Sequence, residues 1–350
     1  MKVVCYFKEP ANYTLSLKKK VYDSLLIDGR FLESNSLASN NEVEAFSNDS
    51  ITNRFKKLWR DSSYYEVAIF NGFYQKELFF LLLFSWLQSK PLKIALDSDT
   101  PLNIPENLFK RILKKILLNR LFGNKRIYGL AGGNGSHKEL FRYYGMEDNR
   151  IGLLPMVINV DEFRGAIRKR EKQFEFLYVG RIEPHKNIRH LLETFKKTFS
   201  DVDDASLKIV GDGSELSTLE KEFSNSKIKF TAKLFENDLK QAYKNASIFV
   251  LPSLFEPWGL VVNEAMAEGL PVISSKYVGA NHDLLEGKET GLIFDPEING
   301  DLEAQMKRIY TDDSYYHAAS KNAFNLLQNH WNYTLYRKQL LLAIDKMKND

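Results

Sequence analysis

Two segments of the sequence combine charged side chains with glycine in a way that suits a phosphate-bearing ligand. The first, residues 180–186, reads GRIEPHK and puts Arg181 and Lys186 between a predicted strand and a predicted helix. The start of a helix carries partial positive charge, so two cations beside it favour an anion. A diphosphate is the anion that we expect. In this interpretation Lys186 is an exposed cation that contributes little to stability. The alternative interpretation is a solvated loop with two surface cations.

The second segment, residues 255–265, reads FEPWGLVVNEA and spaces two glutamates eight residues apart. Glu256 belongs to a loop that follows a predicted strand, whereas Glu264 belongs to a helix that begins near Gly259. Free backbone N–H groups at that helix start suit phosphate oxygens. A carboxylate can accept hydrogen bonds from sugar hydroxyls; the acidic residue that holds a ribose in dinucleotide-binding sites is an example. The alternative is a helix-start glutamate and an unrelated surface glutamate.

Strand-like and helix-like patterns alternate along the whole chain, which predicts an α/β fold with parallel sheets. In the second half, strands are predicted at 174–180, 207–211, 227–231, 247–251, 271–274 and 291–294, and helices at 187–199, 236–246 and 260–267. In the first half, strands are predicted at 3–7, 67–70, 93–96, 127–130 and 151–154, and helices at 12–26, 74–88, 106–122 and 136–144. We interpret this pattern as two doubly wound, Rossmann-like domains. Ligands of such sheets bind beyond the carboxyl ends of the strands, so two facing domains are expected to form a cleft.

The predicted organisation is an N-terminal domain at 1–160, a second domain at 161–330 and a terminal helix at 331–350 that returns to the first domain. Residues 314–347 have a helical pattern throughout. Charge differs between the halves, since residues 1–165 carry a net charge of +6 and residues 166–350 a net charge of −2. This asymmetry favours two units with different partners.

Composition excludes several classes of protein. The 350 residues are 44% hydrophobic and 27% charged, which rules out a disordered chain. A net charge of +4 is too small for a dedicated nucleic-acid binder, and the single Cys5 excludes a disulfide framework or a cysteine-based metal cluster. The first residues lack the pattern of a signal peptide, and the longest apolar run is about half of the ~20 residues that span a bilayer. We therefore expect a cytoplasmic protein.

Four motifs occur in one order along the second half: YVGRIEPHKN (178–187), LKIVGDG (207–213), LPSLFEPWGLVVNEAMAEGLPVISS (251–275) and EGKETGLIFDP (286–296). Together they resemble the donor-binding half of retaining glycosyltransferases of the GT-B fold, family 4 (group 1). The flanking segments RIGLLPMVINVDEF (150–163) and HWNYTLYRKQL (330–340) are similar to the regions around that half. The resemblance covers about half of the chain.

The resemblance implies a role for each matched residue. Arg181 and Lys186 would neutralise the diphosphate of a nucleotide sugar, and Glu256 would hold hydroxyls of the donor sugar. Glu264 would bind the ribose. The remaining donor-side positions would act through the backbone: Gly180, Gly211, Gly213, Trp258, Gly259 and Leu260. Cations that stabilise the departing diphosphate make a metal or other cofactor unnecessary.

The resemblance also implies the reaction and its setting. The sugar would pass, with retention, to a hydroxyl of a glycan acceptor, such as a lipid-linked precursor of O-antigen, capsule or exopolysaccharide. The setting would be the cytoplasm or the cytoplasmic face of the membrane. Two alternatives from other classes stay open: a nucleotide-sugar epimerase of similar fold, and a catalytically silent scaffold that binds sugar nucleotides.

The first half departs from the family pattern. The first strand is followed by YFKEPANYT, which contains no glycine, and no acceptor-side histidine is recognisable. Asp97 and Asp99 follow a predicted strand and are candidates for the acceptor side, although a turn is the alternative role. An Asp-x-Asp pair also holds a divalent metal in glycosyltransferases of another fold, but that fold would leave the motifs at 180–264 unexplained. The histidines show no spacing typical of metal ligands, and His137 is expected on a helix surface.

Residues 108–126 form a predicted basic helix and its following loop. Lys110, Arg111, Lys114 and Lys115 lie among apolar residues at helical spacing. Such a helix can lie on an anionic membrane surface. The alternative is a helix whose apolar face packs on the core and whose solvated face is basic.

Overall fold

The computed structural model describes residues 2–34, 45–90, 92–163 and 165–350. The chain divides into two compact units, one formed by Met1–Asn159 with Tyr333–Asp350 and the other by Val160–Asn332. Each unit contains one parallel six-stranded sheet, so the predicted α/β class with two Rossmann-like sheets is confirmed.

The strands of both sheets follow the order expected of doubly wound folds. The first sheet has the order β2-β1-β3-β4-β5-β6 and the second the order β12-β11-β10-β7-β8-β9. In chain order the strands are β1 (Val3–Phe7), β2 (Asp28–Phe31), β3 (Val67–Asn71), β4 (Lys93–Ser98), β5 (Ile127–Ala131), β6 (Ile151–Leu153), β7 (Phe174–Val179), β8 (Ala205–Val210), β9 (Ile228–Thr231), β10 (Ile248–Leu251), β11 (Val272–Ser275) and β12 (Gly291–Phe294). The central strands are buried along nearly their whole length, as parallel strands covered on both faces must be.

Helices connect the strands. In chain order they are α1 (Asn12–Leu17), α2 (Ile51–Tyr64), α3 (Lys76–Leu87), α4 (Leu108–Phe122), α5 (Ser136–Tyr143), α6 (Ile188–Phe199), α7 (Leu216–Phe223), α8 (Glu236–Asn245), α9 (Leu260–Ala267), α10 (Asn281–Leu284), α11 (Asp301–Thr311), α12 (Asp313–Asn329) and α13 (Tyr333–Asn349). The predicted apolar stripe of α6 is buried, and the rings of Phe195 and Phe199 lie 5.7 and 5.0 Å from the ring of Phe176 on β7.

Several elements differ from the sequence-based expectation. The predicted helix at 12–26 is α1 followed by a π turn (Lys18–Tyr22) and a 3-10 turn (Asp23–Leu25). β2 and α2 were not predicted; β2 is a short edge strand with the sequence DGRF, whereas α2 has an amphipathic pattern and a Ser50 cap that the prediction overlooked. The helical stretch at 314–347 is two helices, and the side-chain amide of Asn332 donates to the carbonyls of Leu327 and Gln328 at the end of α12.

Helix α13 belongs to the first unit. Its Tyr336 is buried, and the hydroxyls of Tyr336 and Tyr22 lie 2.7 Å apart in a hydrogen bond. The hydroxyl of Tyr128 on β5 donates to a side-chain oxygen of Asp350 at 2.9 Å. Polar contacts thus fasten both ends of α13 to this unit.

Sheet order in the second unit brings the predicted motifs together. β10, β7 and β8 are neighbours, and all pairs are parallel, so their carboxyl ends lie at one edge. The loop at 180–186 follows β7, the glycine-containing turn at 211–213 follows β8, and the loop that contains Glu256 follows β10.

Candidate functional site

A cavity of about 480 Å³ lies in the second unit at the carboxyl ends of β7 and β8. It brings together five residues that the sequence singles out: Gly180, Arg181, Gly211, Gly213 and Glu264. Apolar side chains form much of its wall: Val179, Val210, Leu234, Leu239 and Val261. An apolar wall with a few polar groups at one end suits a ligand with a flat, weakly polar part and a charged part.

Close backbone approach explains the two glycines after β8. A Cβ atom at Gly211 would lie 1.8 Å from the carbonyl oxygen of Gly180. A Cβ atom at Gly213 would lie 2.2 Å from the carbonyl oxygen of Ile182. Any larger residue would therefore separate the loops that follow β7 and β8. Glycine here lets both loops line one side of the cavity.

Glu264 projects from the second turn of α9 and lines the cavity while half-buried. The hydroxyl of the buried Tyr243, on α8, donates a 2.8 Å hydrogen bond to Oε2 of Glu264. Burial raises the pKa of Glu264 to about 7, and the hydrogen bond from Tyr243 opposes that rise. The carboxylate thus has a fixed orientation and a protonation state that is sensitive near neutral pH. The sequence offered no signal for Tyr243.

Lys186 and Glu256 form an ion pair between Nζ and Oε2. The side chains are 11% and 15% exposed, so Lys186 is not the exposed cation that the sequence suggested. The backbone N–H of Leu254 donates to the carbonyl of His185 at 2.8 Å, which joins the loops that follow β7 and β10. The two residues are not among those that line the 480 Å³ cavity.

Trp258 is part of the core of the second unit. Its indole is 1% exposed, stacks on Trp331 at 5.7 Å between ring centroids, and donates from Nε1 to Oδ1 of Asn263 at 2.8 Å. Gly259 has a φ of +94°, and α9 begins at Leu260 as predicted. The Trp258 side chain is therefore not available to a ligand, and the buried indole holds the backbone at the start of α9.

Further contacts hold the loop at 180–186 in place. The hydroxyl of Tyr178 donates to the carbonyl of Arg181 at 2.6 Å, and the Arg181 side chain is exposed. The carboxylate of Glu183 accepts from the backbone N–H of Ser214 at 3.2 Å and from its hydroxyl at 2.6 Å. Glu183 lies within a motif that the sequence highlights, but its hydrogen bonds to Ser214, which connect the loops after β7 and β8, were not predicted.

The first unit contains a second cavity, of about 760 Å³, at the carboxyl ends of its strands. Asp97, the penultimate residue of β4, lines it and is 8% exposed. Burial raises the pKa of Asp97 to about 7, a hydrogen bond of 3.2 Å from the Asn71 amide lowers it, and the charge of Asp99 raises it. Asp99 lines the same cavity. The predicted turn is present as well, since the hydroxyl of Ser98 accepts from the N–H of Thr100 at 3.1 Å.

Glu77, in the first turn of α3, also lines the 760 Å³ cavity and is 8% exposed. Sequence reasoning missed it because Glu77 lies in the first turn of a strongly apolar helix, where an acidic residue is ordinary.

Helix α4 differs from the core-packed alternative. Leu108, Ile112 and Ile116 are 65%, 50% and 60% exposed, and only the C-terminal end of α4 packs on the core. Lys110, Arg111 and Lys115 are exposed as well, whereas Lys114 is half-buried and donates from Nζ to the carbonyl of Asn103 at 2.7 Å. The predicted basic helix therefore presents apolar and cationic side chains together.

Within the described ranges, no group of three or more His, Cys, Asp and Glu residues is arranged to hold a metal ion. His137 is 1% exposed, which contradicts its predicted surface position. It is buried because it lies on the inner face of α5 together with Leu140 and Phe141. Of the helices described here, none is both long and apolar enough to cross a membrane.

Comparison with known proteins connects this geometry to a family. Residues 159–326 match the family described as "Glycosyl transferases group 1". This segment contains the 480 Å³ cavity and both charged, glycine-containing segments singled out in the sequence, at 180–186 and 255–265.

Two curated relatives are similar over larger stretches. The sulfoquinovosyl transferase SQD2 of Arabidopsis thaliana is 28% identical over 247 residues, which are 67% of this chain and 47% of the relative. The UDP-Gal:alpha-D-GlcNAc-diphosphoundecaprenol alpha-1,3-galactosyltransferase of Escherichia coli is 28% identical over 229 residues, which are 61% of this chain and 55% of the relative. The chain thus spans about half the length of these relatives.

Solved structures match the whole fold. The Anabaena protein Alr3699/HepE in complex with UDP has a TM-score of 0.77 at 17% identity, over 99% of this chain and 100% of that one. The apo lipopolysaccharide outer core galactosyltransferase WaaB has a TM-score of 0.73 at 18% identity, over 99% of each chain. With the two parallel sheets, these findings identify residues 159–326 as a segment of the group 1 glycosyl transferase family and give the chain the GT-B fold of the solved glycosyltransferase structures.

Proposed function

We propose that this chain transfers a sugar from a nucleoside diphosphate to a hydroxyl of a glycan acceptor, with retention at the anomeric carbon. The observation that carries the proposal is the 480 Å³ cavity, where Arg181, the glycine turn and Glu264 converge within the segment that matches the family. The apolar wall accommodates a base, the Glu264 carboxylate accepts ribose hydroxyls, and Arg181 lies where the diphosphate would begin.

The chemistry in this proposal depends on charge around the leaving group. The bond between the anomeric carbon and the diphosphate breaks while the acceptor oxygen attacks from the same face. The acceptor proton passes to an oxygen of the departing phosphate. Arg181 and Lys186 stabilise the negative charge that develops, which is usually the largest contribution to catalysis. Glu256, ion-paired with Lys186, orients the donor sugar and forms no covalent bond.

Supply of positive charge by side chains makes a metal unnecessary in this proposal. Arg181 and Lys186 are the two cations of the loop that follows β7. Addition of a metal chelator is therefore expected to leave turnover unchanged, and loss of turnover on chelation would contradict this part of the proposal.

The donor is tested with a panel of nucleoside diphosphate sugars and free nucleoside diphosphates, by the rise in Tm that a bound ligand causes. At least one donor should stabilise the protein, and Glu264→Ala should reduce the rise for that donor. The matched control is Glu286→Ala, an exposed glutamate of the same unit. No stabilisation by any nucleotide would refute the donor assignment.

Retention and transfer are tested with the donor that binds. The product linkage, read by NMR, should keep the anomeric configuration of the donor. Conversion of the nucleotide sugar without an acceptor would indicate an epimerase instead. Donor binding without any reaction across an acceptor panel would indicate a silent scaffold.

For the acceptor, we propose a lipid-linked precursor of a cell-surface glycan. The name of the Escherichia coli relative specifies a diphosphoundecaprenol-linked acceptor, and WaaB is described as a lipopolysaccharide outer core enzyme. Asp97 and Asp99 line the first unit's 760 Å³ cavity, where their oxygens would accept hydrogen bonds from acceptor hydroxyls. Asp97→Asn should raise the KM for the acceptor without changing nucleotide binding.

A lipid-linked acceptor would locate the protein at the cytoplasmic face of a membrane. Support comes from the exposed cations on α4, Lys110, Arg111 and Lys115, which would meet anionic headgroups. Equal turnover with lipid-linked and water-soluble forms of the same acceptor would argue against a membrane location.

A further inference from the structure

Helix α4 exposes far more apolar surface than a soluble helix normally does. Six of its apolar side chains are between 47% and 76% exposed: Leu108, Phe109, Ile112, Leu113, Ile116 and Leu117. They occupy consecutive turns, so the exposed apolar area is continuous along ten residues. Large continuous apolar patches on a protein surface usually mark an interaction site.

The side chains that hold α4 to the first unit lie at its C-terminal end. Leu118, Leu121 and Phe122 are buried in the core cluster of that unit. Near the other end, Asn107 caps the helix by accepting from the N–H of Lys110 at 3.0 Å, and Arg111 donates to the carbonyl of Pro105 at 2.9 Å. The N-terminal two-thirds of α4 is therefore held by hydrogen bonds near its start and contributes no side chain to the core cluster.

A second helix adds to the apolar surface on the same side of the sheet. The connections β3-α3-β4 and β4-α4-β5 run in the same direction across adjacent parallel strands, and right-handed crossovers place both helices on one face. On α3, four apolar side chains are between 46% and 67% exposed: Phe79, Leu83, Trp86 and Leu87. We call the ten exposed side chains of α3 and α4 the apolar face.

Charge indicates which partner covers this face. Helix α4 contains five cations and no acidic residue. At 3.6 residues per turn its six exposed apolar side chains share one half of the helix, and Lys110 and Lys115 lie at the two edges of that half. A second copy of the chain would bring the same positive charge and would be repelled. An anionic bilayer offers both an apolar interior and negative headgroups, and long cationic side chains can reach the headgroups while their stems stay in the apolar layer.

We propose that the apolar face inserts into the interface of an anionic bilayer, with α4 parallel to the membrane plane. Attachment then has two parts, insertion of Phe109, Ile112 and Ile116 and electrostatic attraction through Lys110, Arg111 and Lys115. This inference concerns the mode of attachment and goes beyond the transfer reaction. It rests on the membrane location proposed above. Its test needs neither a nucleotide sugar nor an acceptor, so its failure would remove that location and leave the proposed transfer reaction untouched.

Co-sedimentation with vesicles tests the two parts separately. The probes are vesicles of phosphatidylcholine alone and vesicles with about one-third phosphatidylglycerol, at about 0.1 M and about 0.5 M salt. The protein should bind the anionic vesicles, and the higher salt should weaken this binding without abolishing it. Phe109→Ser/Ile112→Ser/Ile116→Ser should lower the partition coefficient at least about tenfold at both salt concentrations. The charge variant, Lys110→Gln/Arg111→Gln/Lys115→Gln, should lose mainly the part of vesicle binding that depends on salt.

The matched control replaces three exposed apolar side chains elsewhere, Ile298→Ser/Leu341→Ser/Leu342→Ser. This variant should bind vesicles like the unmodified protein, and circular dichroism should show native folding for both triple variants. Unchanged binding by the α4 serine variant would overturn the proposal. A second result would also overturn it: the unmodified protein binds no vesicles and forms concentration-dependent dimers that the α4 serine variant does not form. A second copy of the chain would then cover the apolar face.

Insertion itself is measured with a fluorescent label. The only cysteine, Cys5, is 1% exposed, so Ile116→Cys can be labelled selectively with an environment-sensitive dye. Anionic vesicles should shift the emission to the blue and protect the dye from an aqueous quencher. The same dye on Leu342→Cys should not respond. Equal responses at the two positions, or none at Ile116→Cys, would contradict insertion.

Discussion

The hydroxyl of Tyr243 donates a hydrogen bond of 2.8 Å to Oε2 of Glu264, so the carboxylate at the base of the 480 Å³ cavity is held by a residue of a different helix. Burial alone would favour the protonated form of Glu264, whereas this hydrogen bond favours the carboxylate. The two effects leave its pKa at about 7, within the range of ordinary cytoplasmic pH.

Nucleotide affinity should therefore depend on pH through Glu264. Only the ionised carboxylate can accept hydrogen bonds from two ribose hydroxyls at once, so affinity should rise as pH increases through about 7. Tyr243→Phe removes the bond that favours ionisation and should move the midpoint to higher pH. Isothermal titration of the nucleotide that stabilises the protein, from about pH 5.5 to about pH 8.5, measures the midpoint.

Glu264→Gln is the control for this pH dependence, because glutamine cannot titrate. Its affinity should be lower and nearly flat across the range. A midpoint that stays unchanged in Tyr243→Phe, or pH dependence that persists in Glu264→Gln, would show that another group is responsible.

Substitutions in the Lys186–Glu256 ion pair can show whether Lys186 acts in turnover or only stabilises the fold. Lys186→Ala leaves the half-buried Glu256 without its partner. Because both side chains keep some contact with solvent, the expected loss in unfolding free energy is smaller than the about 3 kcal/mol of a fully buried pair. Turnover should also fall, since a cation beside the diphosphate is lost. Chemical denaturation and steady-state kinetics measure the two effects.

The double variant Lys186→Met/Glu256→Gln distinguishes the roles. It removes both charges, so stability should return towards that of the unmodified protein while turnover stays low. Recovery of turnover along with stability would mean that the pair is only structural.

Gly211→Ala should disrupt the cavity by pushing the loops after β7 and β8 apart. The added Cβ would lie 1.8 Å from the carbonyl oxygen of Gly180, which belongs to the backbone and cannot rotate away. We expect a loss of about 1–3 kcal/mol in unfolding free energy together with loss of nucleotide binding. Gly152→Ala is the comparison, because its nearest neighbour, at 3.2 Å, is a flexible Leu130 methyl group. Similar losses in the two variants would contradict the steric explanation.

Trp258→Phe should test whether the buried indole positions the backbone at the start of α9. Phenylalanine can keep the stacking on Trp331 but cannot donate to Asn263. The expected cost is about 1–3 kcal/mol, with weaker nucleotide binding. Urea denaturation gives the first quantity and calorimetry the second. Reduced stability with unaltered nucleotide binding would confine Trp258 to a core role.

Asp97 should make stability fall as pH rises. Its pKa is 3.8 in the unfolded chain and about 7 when folded, so between these values the folded protein retains a proton that the unfolded chain has lost. Each unit of difference corresponds to about 1.4 kcal/mol. Asp97→Asn should flatten the decline in Tm between about pH 4 and about pH 7. The same decline in Asp97→Asn as in the unmodified protein would assign it to other groups, with Glu264 the first to examine.

Local patterns were enough to predict the class of fold and most strands of the second unit. β7 and α6 have strong period-specific patterns, and glycine at 211, 213 and 259 indicates turns, because only glycine tolerates the backbone geometry there. Patterns were weaker in the first unit. β2 is too short to show a clear periodicity, and the segment at 12–26 changes its helical type after Leu17.

The sequence by itself determined which side chains follow each strand, since strand ends and helix starts are local features. That is why Arg181, Gly211, Gly213 and Glu264 could be named together before their positions were known. Only the tertiary structure decided their partners. Glu256 lies 70 residues from Lys186, and Tyr243 lies 21 residues from Glu264, so each contact depends on the order of strands in the sheet. The tertiary structure also decided how exposed α4 is. Its sequence pattern is equally compatible with a covered and an uncovered apolar face, because only packing determines which apolar side chains meet the core.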